Sequence, residues 1–180
     1  MKRLLLILIM IISSSVIFAQ NENTEQKMTR SEKNKAEFEK SYKLVKQLLE
    51  DKNFVLETNY LLDRYGNRIV VSSNINFVKV DGDNAVIQIG SDETIGPNGV
   101  GGTTAKGKIT KWTLTEKGKS KRFYVQMNVI TKIGIYDLSF SVSGDGQALA
   151  TLTSTGPGLL TFDGDIVPLD ESGVYEGTSL

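Results

Sequence analysis

Residues 122–153, RFYVQMNVITKIGIYDLSFSVSGDGQALATLT, decide the fold. Phe123, Val125, Met127 and Val129 take every second position, with Tyr124, Gln126 and Asn128 between them. That period of two puts alternate side chains on opposite faces of a strand. Lys132-Ile133-Gly134 turns the chain, and Tyr136, Leu138, Phe140 and Val142 repeat the pattern. Ser143-Gly144-Asp145-Gly146 makes a second hairpin, and Ala148 to Thr153 returns. Three strands joined by tight turns form an antiparallel meander with one apolar face.

The same grammar extends outward in both directions. Upstream, Phe54, Leu56, Thr58 and Tyr60 alternate with Val55, Glu57 and Asn59, and Tyr65-Gly66-Asn67 breaks the run. Ile69 to Val71 and Asn74 to Val80 read as strands, and Asp81-Gly82-Asp83-Asn84 reads as a hairpin into Ala85 to Ile89. A glycine-rich stretch, Gly90 to Gly102, precedes a long strand from Ala105 to Thr115 that carries Trp112. Glu116 to Lys121 is a polar turn into the deciding stretch. Downstream, Leu159 to Phe162 is a strand, Asp163-Gly164-Asp165 reads as another turn, and Ile166-Val167 follows. Pro97, Pro157 and Pro168 fall in turns or at strand ends, where a missing N–H is tolerated. Short strands with turns roughly every 8–12 residues predict a mainly β domain: an antiparallel β-barrel or closed sandwich, lipocalin-like. The tail from Asp170 is expected to wrap its surface.

The N-terminal third departs from this period. Lys2 and Arg3 precede an apolar run from Leu4 to Ile12, extended by Val16 to Phe18, with Ala19-Gln20 as a cleavage point. This is the layout of a secretory signal peptide, too short to span a bilayer as a helix. Gln20 to Met28 is polar and reads as a disordered linker. Thr29-Arg30-Ser31-Glu32 fits a capping box, and Phe38, Tyr42, Val45, Leu48 and Leu49 recur at helical spacing. The expected organisation is therefore 1–19 signal peptide, 20–28 linker, 29–52 amphipathic helix and 53–180 antiparallel β domain.

Composition narrows the chemistry. The 180 residues hold 21 basic and 21 acidic side chains, and removal of Lys2 and Arg3 tips the balance slightly negative. That is no footprint for nucleic acid. Histidine and cysteine are both absent. Serine–histidine and cysteine–histidine catalysis are excluded with them, as are imidazole or thiolate sites for zinc and copper. The expectation is a non-enzyme without cofactor or metal. The enzymatic alternative is a carboxylate-based hydrolase, in which Asp137 would need a partner such as Glu57 or Asp92.

Four residues are candidates for ligand binding: Asp92 and Asn98 in the glycine-rich loop, Trp112, and Asp137. The loop has four residues between Gly96 and Gly101, as a phosphate-binding loop does, but Gly102-Thr103 replaces the lysine and hydroxyl pair that motif requires. Its length suggests either a structural connection or a gate at a barrel mouth. Asp81, Asp83, Asp145, Asp163 and Asp165 are explained by hairpin chemistry, since their spacing does not fit a calcium loop. Trp112 reads first as a core anchor. Asp137 shares a face with Ile135, Ser139 and Ser141, which is either solvated or the lining of a cavity.

Several strings carry a resemblance. Ile95-Gly96-Pro97-Asn98-Gly99-Val100-Gly101-Gly102 is followed by Gly107-Lys108-Ile109-Thr110-Lys111, then by Ile133-Gly134-Ile135-Tyr136-Asp137 and Val174-Tyr175-Glu176-Gly177. In that order, from about Phe54 to the end, the chain resembles the bacterial family called domain of unknown function 4251. The resemblance implies secreted or envelope-bound proteins of Bacteroides-like bacteria, mainly β, without an assigned activity and with no catalytic residue to carry over. Many such relatives look like lipoproteins, whereas no cysteine follows the apolar run here.

The resulting expectation is an exported, periplasmic or extracellular, non-enzymatic β-barrel. Its partner would be a small apolar or amphipathic ligand. The alternative is a structural or interaction module that contacts an envelope protein and has no pocket. Uniformly bulky inward positions would favour the second reading, and partly polar ones the first.

Overall fold

The computed structural model describes residues 29–154 and 158–179. The expected signal peptide at 1–19 and linker at 20–28 lie outside the described residues. Helix α1 (Arg30–Asp51) opens on the capping box. The Thr29 N–H donates to Glu32 Oε2 at 2.8 Å, and the Glu32 N–H donates to Thr29 Oγ1 at 3.3 Å. Those bonds satisfy two amides that have no partner within the helix, and the Thr29 N–H holds the Glu32 carboxyl below its ordinary pKa. The helix buries Val45, Leu48 and Leu49. Each such side chain contributes about 1.5–3 kcal/mol when taken out of water. Lys52 ends the helix in the left-handed region (φ 52°), a common stop.

Nine strands follow among the described residues: β1 (Asn53–Asp63), β2 (Arg68–Val70), β3 (Phe77–Asp81), β4 (Asn84–Ile89), β5 (Thr103–Lys117), β6 (Arg122–Thr131), β7 (Gly134–Ser143), β8 (Gln147–Ser154) and β9 (Leu159–Pro168). From β3 to β9 each strand pairs antiparallel with the next, and β1 pairs with both β3 and β9. The sheet thus closes into an eight-stranded barrel of β1 and β3–β9, with β2 as an appendage on β1. The mainly β, closed antiparallel architecture read from the alternation is present.

Strand β1 is shared along its length. Asn53–Glu57 pair with Asp81–Phe77 of β3, and Tyr60–Leu62 pair with Val70–Arg68 of β2. A register shift between Thr58 and Tyr60 marks the switch. Opposite it stands Gly164, where a Cβ would collide with the Glu57 carbonyl oxygen. Only glycine lets the two backbones pass at this point. The sequence expectation of a turn at Asp163-Gly164-Asp165 is therefore corrected. β9 runs straight through it, because this glycine serves a close approach rather than a reversal.

The barrel interior is filled. Phe54, Leu56, Val78, Val80, Ala85, Ile87, Phe123, Val125, Leu138, Phe140, Ala150 and Phe162 belong to one buried cluster that also takes in Leu48 and Leu49 of α1. Phe54 meets Phe140 edge-on at 6.0 Å and Trp112 at 6.4 Å. Eight strands leave a lumen that side chains can fill. The outward positions are polar over much of the wall: Gln126, Ser139 and Ser141 alternate with buried residues, and Thr113 with the half-buried Trp112 and Leu114. A bilayer-spanning barrel requires the reverse polarity. No helix among the described residues is long and apolar enough to cross a membrane.

Helix α1 closes one end of the barrel. Tyr42 stacks on Phe123 with ring centroids 5.1 Å apart, and its hydroxyl donates to Glu116. Lys46 reaches the same carboxylate at 2.8 Å, and Lys121 pairs with Glu39. Lys52 binds Asp83 in the β3–β4 turn at 2.9 Å. The other end is bounded by the connections from β1 to β3, from β4 to β5, and from β6 to β7.

Candidate functional site

Two structures occupy the glycine-rich loop and its surroundings. One serves the fold and the other is open. The first lies on the outer face of β3–β4–β5. The tail after β9 runs across this face and covers Val55, Phe77 and Val86 with Leu169 and Val174. It is fastened by hydrogen bonds. Tyr175 N–H donates to the Asn74 carbonyl at 2.8 Å, Gln88 Nε2 to the Tyr175 carbonyl at 2.8 Å, and Thr178 N–H to the Asn98 carbonyl at 2.9 Å.

Beneath the tail, Asn98, Thr104 and Gln88 form a buried relay. Asn98 Nδ2 donates to Thr104 Oγ1 at 3.1 Å, and that hydroxyl donates to Gln88 Oε1 at 2.9 Å. Gly177 N–H also donates to Gln88 Oε1, at 2.8 Å. Asn98 Oδ1 accepts from Val100 and Gly102 N–H at 3.1 and 3.0 Å. A Cβ on Gly177 would sit 2.5 Å from the Asn98 carbonyl oxygen, so the closing glycine permits the tail to lie this close. Glu176 is clamped by Lys79 and Lys106. Partial burial pushes its pKa up, but the Lys106 and Lys79 ammonium groups outweigh that and hold it below the ordinary value. A depression of about 380 Å³ lies beside it, lined by Lys79, Lys106 and Lys108. All three cations are engaged, Lys108 with Asn84 at 2.6 Å. The Asn98–Gly102 part of the loop thus folds down the outer wall as a fastening, as the structural-connection reading expects, while its first residues, Gly90–Glu93, stay at the barrel end.

The second structure is a cleft of about 390 Å³ at the end away from α1. Leu61, Ile69, Val71 and Ile89 supply its apolar lining, and Ser72, Asn76, Ser91, Asp92 and Glu93 supply polar groups. It exists because β3 is shorter than β1. Beyond Phe77 the wall between β1 and β4 is only β2, and β2 has a single neighbour. Asn76 sets the corner. Its carbonyl accepts from Thr58 N–H at 3.0 Å, and its Oδ1 accepts from Gly90 N–H at 3.0 Å. Ile69 is 59% exposed and Val70 81% exposed. Large apolar groups this open on a β-edge are unusual.

The four candidate residues do not converge. Asp92 lies on the lip of the cleft. Asn98 is buried and committed to the loop. Trp112 packs against the core cluster, with the Lys52 ammonium 5.6 Å from its ring centre. Asp137 is exposed on the outer wall and accepts from Asn128 Nδ2 at 2.9 Å. Its face is solvated rather than cavity-lining, because Tyr136, Leu138 and Phe140 take the inward positions. Asp165 is held above its ordinary pKa. Burial raises it, Asn59 partly offsets this, and Asp145, Asp163 and Glu57 add to it. No group of three or more acids among the described residues could hold a metal.

The family model for a domain of unknown function, DUF4251, matches residues 35–166. The chain belongs to the DUF4251 family. The match takes in most of α1 and the whole barrel except the last residues of β9. It begins earlier and ends earlier than the resemblance to about Phe54–Leu180, so the Val174–Gly177 string falls outside it. A crystal structure of a DUF4251 family protein from Bacteroides eggerthii DSM 20697 superposes with a TM-score of 0.62 at 27% identity, covering 73% of this chain and 90% of that one. No curated protein matches the chain. One string inside the match and one beyond it acquire a structural meaning here. Ile95–Gly102 and Val174–Gly177, far apart in sequence, meet at the Asn98–Thr104–Gln88 relay.

The sequence signal for the cleft was incomplete. Ile69 to Val71 reads as a strand, but nothing in the string says that its second edge stays bare.

Proposed function

We propose that this DUF4251 protein is an exported, non-enzymatic interaction module of the cell envelope. On this reading its working surface is the cleft between β2 and residues 89–93, not the barrel lumen. The observation that carries the proposal is the filled interior. Inward positions are almost all apolar, with Phe54, Phe123, Phe140 and Phe162 buried and alanines such as Ala85 and Ala150 between them, which argues against a lumen for a lipocalin-type ligand, while Ile69 and Val70 remain bare at the cleft. Export rests on the basic, apolar and small-residue layout of residues 1–19. The absence of histidine and cysteine, and the separation of Asp92 from Asp137, support a binding role over catalysis.

Two measurements test it. The intact mass of protein recovered from the periplasm or medium should correspond to a chain starting at Gln20, and recovery of uncleaved chain from the cytosol would refute export. Titration with a fluorescent fatty acid should give no saturable uptake that is lost when Phe140 or Phe54 is changed. Saturable uptake sensitive to those changes would return the function to the lumen.

A further inference from the structure

The free edge of β2 has a defined hydrogen-bonding character. Val71 N–H donates to the Asn59 carbonyl at 3.0 Å, and Asp63 N–H donates to the Asn67 carbonyl at 3.1 Å. Paired and unpaired residues alternate along an antiparallel ladder. Ile69 therefore points its backbone groups at β1, opposite Leu61, and Arg68 and Val70 point theirs away. No strand among the described residues meets that side. Natural edges are usually blunted by lysine, proline or a bulge. The Arg68 side chain is drawn off the edge, over the Tyr60 ring at 3.5 Å and onto Asp163 at 2.8 Å. Val70 is left bare.

The far wall of the cleft supplies charge. Asp92 and Glu93 are exposed there, and their carboxylates make no ion pair or hydrogen bond among the described residues. The cleft floor, Leu61, Ile69, Val71 and Ile89, is apolar. Unpaired backbone groups, an apolar floor and two free carboxylates make three separate demands. A lipid would meet the second, and a cation the third. An extended peptide with alternating apolar and basic side chains meets all three.

We propose that β2 is a strand-addition site for such a peptide. Its backbone would pair with Arg68 and Val70, its apolar side chains would cover Ile69 and Ile89, and a lysine or arginine would face Asp92 and Glu93. This is the β-augmentation mode, in which backbone pairing gives affinity and alternate side chains give selectivity. A three-residue edge is roughly 10 Å long, so contacts would be few and exchange fast. The proposal rests on the cleft being the working surface.

The test uses amide spectra and hydrogen exchange of the purified protein with three capped hexapeptides. One alternates valine with lysine, one alternates valine with glutamate, and one is the lysine peptide N-methylated along one edge. The lysine peptide is expected to slow exchange at Arg68 and Val70 at least about tenfold at saturation, with Ile69 unchanged because it already pairs with β1. The glutamate peptide should bind more weakly, the difference shrinking with salt. N-methylation should abolish protection. Val70→Pro removes an outward N–H without touching the β1 ladder, so it should retain the fold and lose the peptide. Should Val70→Pro misfold, the double change Asp92→Lys and Glu93→Lys serves instead and should reverse the charge preference. Protection by none of the peptides, or binding indifferent to N-methylation, overturns the proposal. So does protection that appears with protein concentration alone, which would assign the edge to a second copy. If a fatty acid moves the Leu61 and Ile89 signals and the peptides do not, strand addition fails while the cleft survives. If no probe moves them, both readings fail.

Discussion

Replacing Phe140 by alanine tests whether the barrel is solid. Phe140 is 2% exposed and its ring meets Phe54 edge-on at 6.0 Å. Its register neighbours are Val125 on β6 and Ala150 on β8. Ala150 is too small to swing into the space, and hydrogen-bonded strands on both sides prevent the wall from collapsing inward. The cost should therefore fall high in the range of about 3–5 kcal/mol for Phe→Ala in a core. The lost ring pair adds about 0.5–1.5 kcal/mol. With a urea slope of about 2 kcal/mol per molar, the midpoint should drop by about 2.5–3 M at unchanged slope. The void is apolar and should stay dry, so benzene should raise the melting temperature of the variant and leave the parent unmoved. A loss below about 2 kcal/mol, with benzene stabilising parent and variant alike, would show slack already inside the barrel. The case for a filled lumen would then fail.

Three further outcomes follow from the fastening of loop and tail and from the β1–β9 crossing. Asn98→Ala leaves the buried Val100 N–H and the half-buried Gly102 N–H without their acceptor and should cost about 2–4 kcal/mol, with faster hydrogen exchange across Gly90–Gly102 and Gly177; unchanged exchange there would disprove the relay. Glu176 has a folded pKa below its unfolded one, so its contribution is complete above the unfolded value and disappears as pH falls through the folded value. Exchange at Gly177 and Thr178 should accelerate on acidification through the lower carboxylate range, and Glu176→Gln should flatten that dependence. Gly164→Ala should cost about 2–3 kcal/mol or more, read as a fall in melting temperature, because the new Cβ meets the Glu57 carbonyl.

How much was legible depended on how local the cause was. The capping box, the helix stripe and the strands around residues 122–153 follow from spacing alone, and the structure has them. Asp163-Gly164-Asp165 misled, because Asp-Gly is a turn signal whenever no partner strand explains the glycine. Here the partner is Glu57, more than a hundred residues away. Asn98 looked like a ligand group on an open loop, since sequence cannot show that Thr104, Gly102 and Gly177 enclose it. Asp137 was placed on the correct face of its strand, but which face turns inward was fixed only by closure of the barrel.

From its residues alone this chain determined an amphipathic helix followed by antiparallel strands, without histidine or cysteine to support the usual catalysis. Those properties depend on side-chain period and composition, which are local. Tertiary structure decided that the lumen is solid, that loop and tail lock together on the outer wall, and that β2 keeps one edge bare. Each of these depends on which strand lies beside which. Pairing across the β1–β9 seam and the shortness of β3 set that arrangement, and no short-range pattern encodes either.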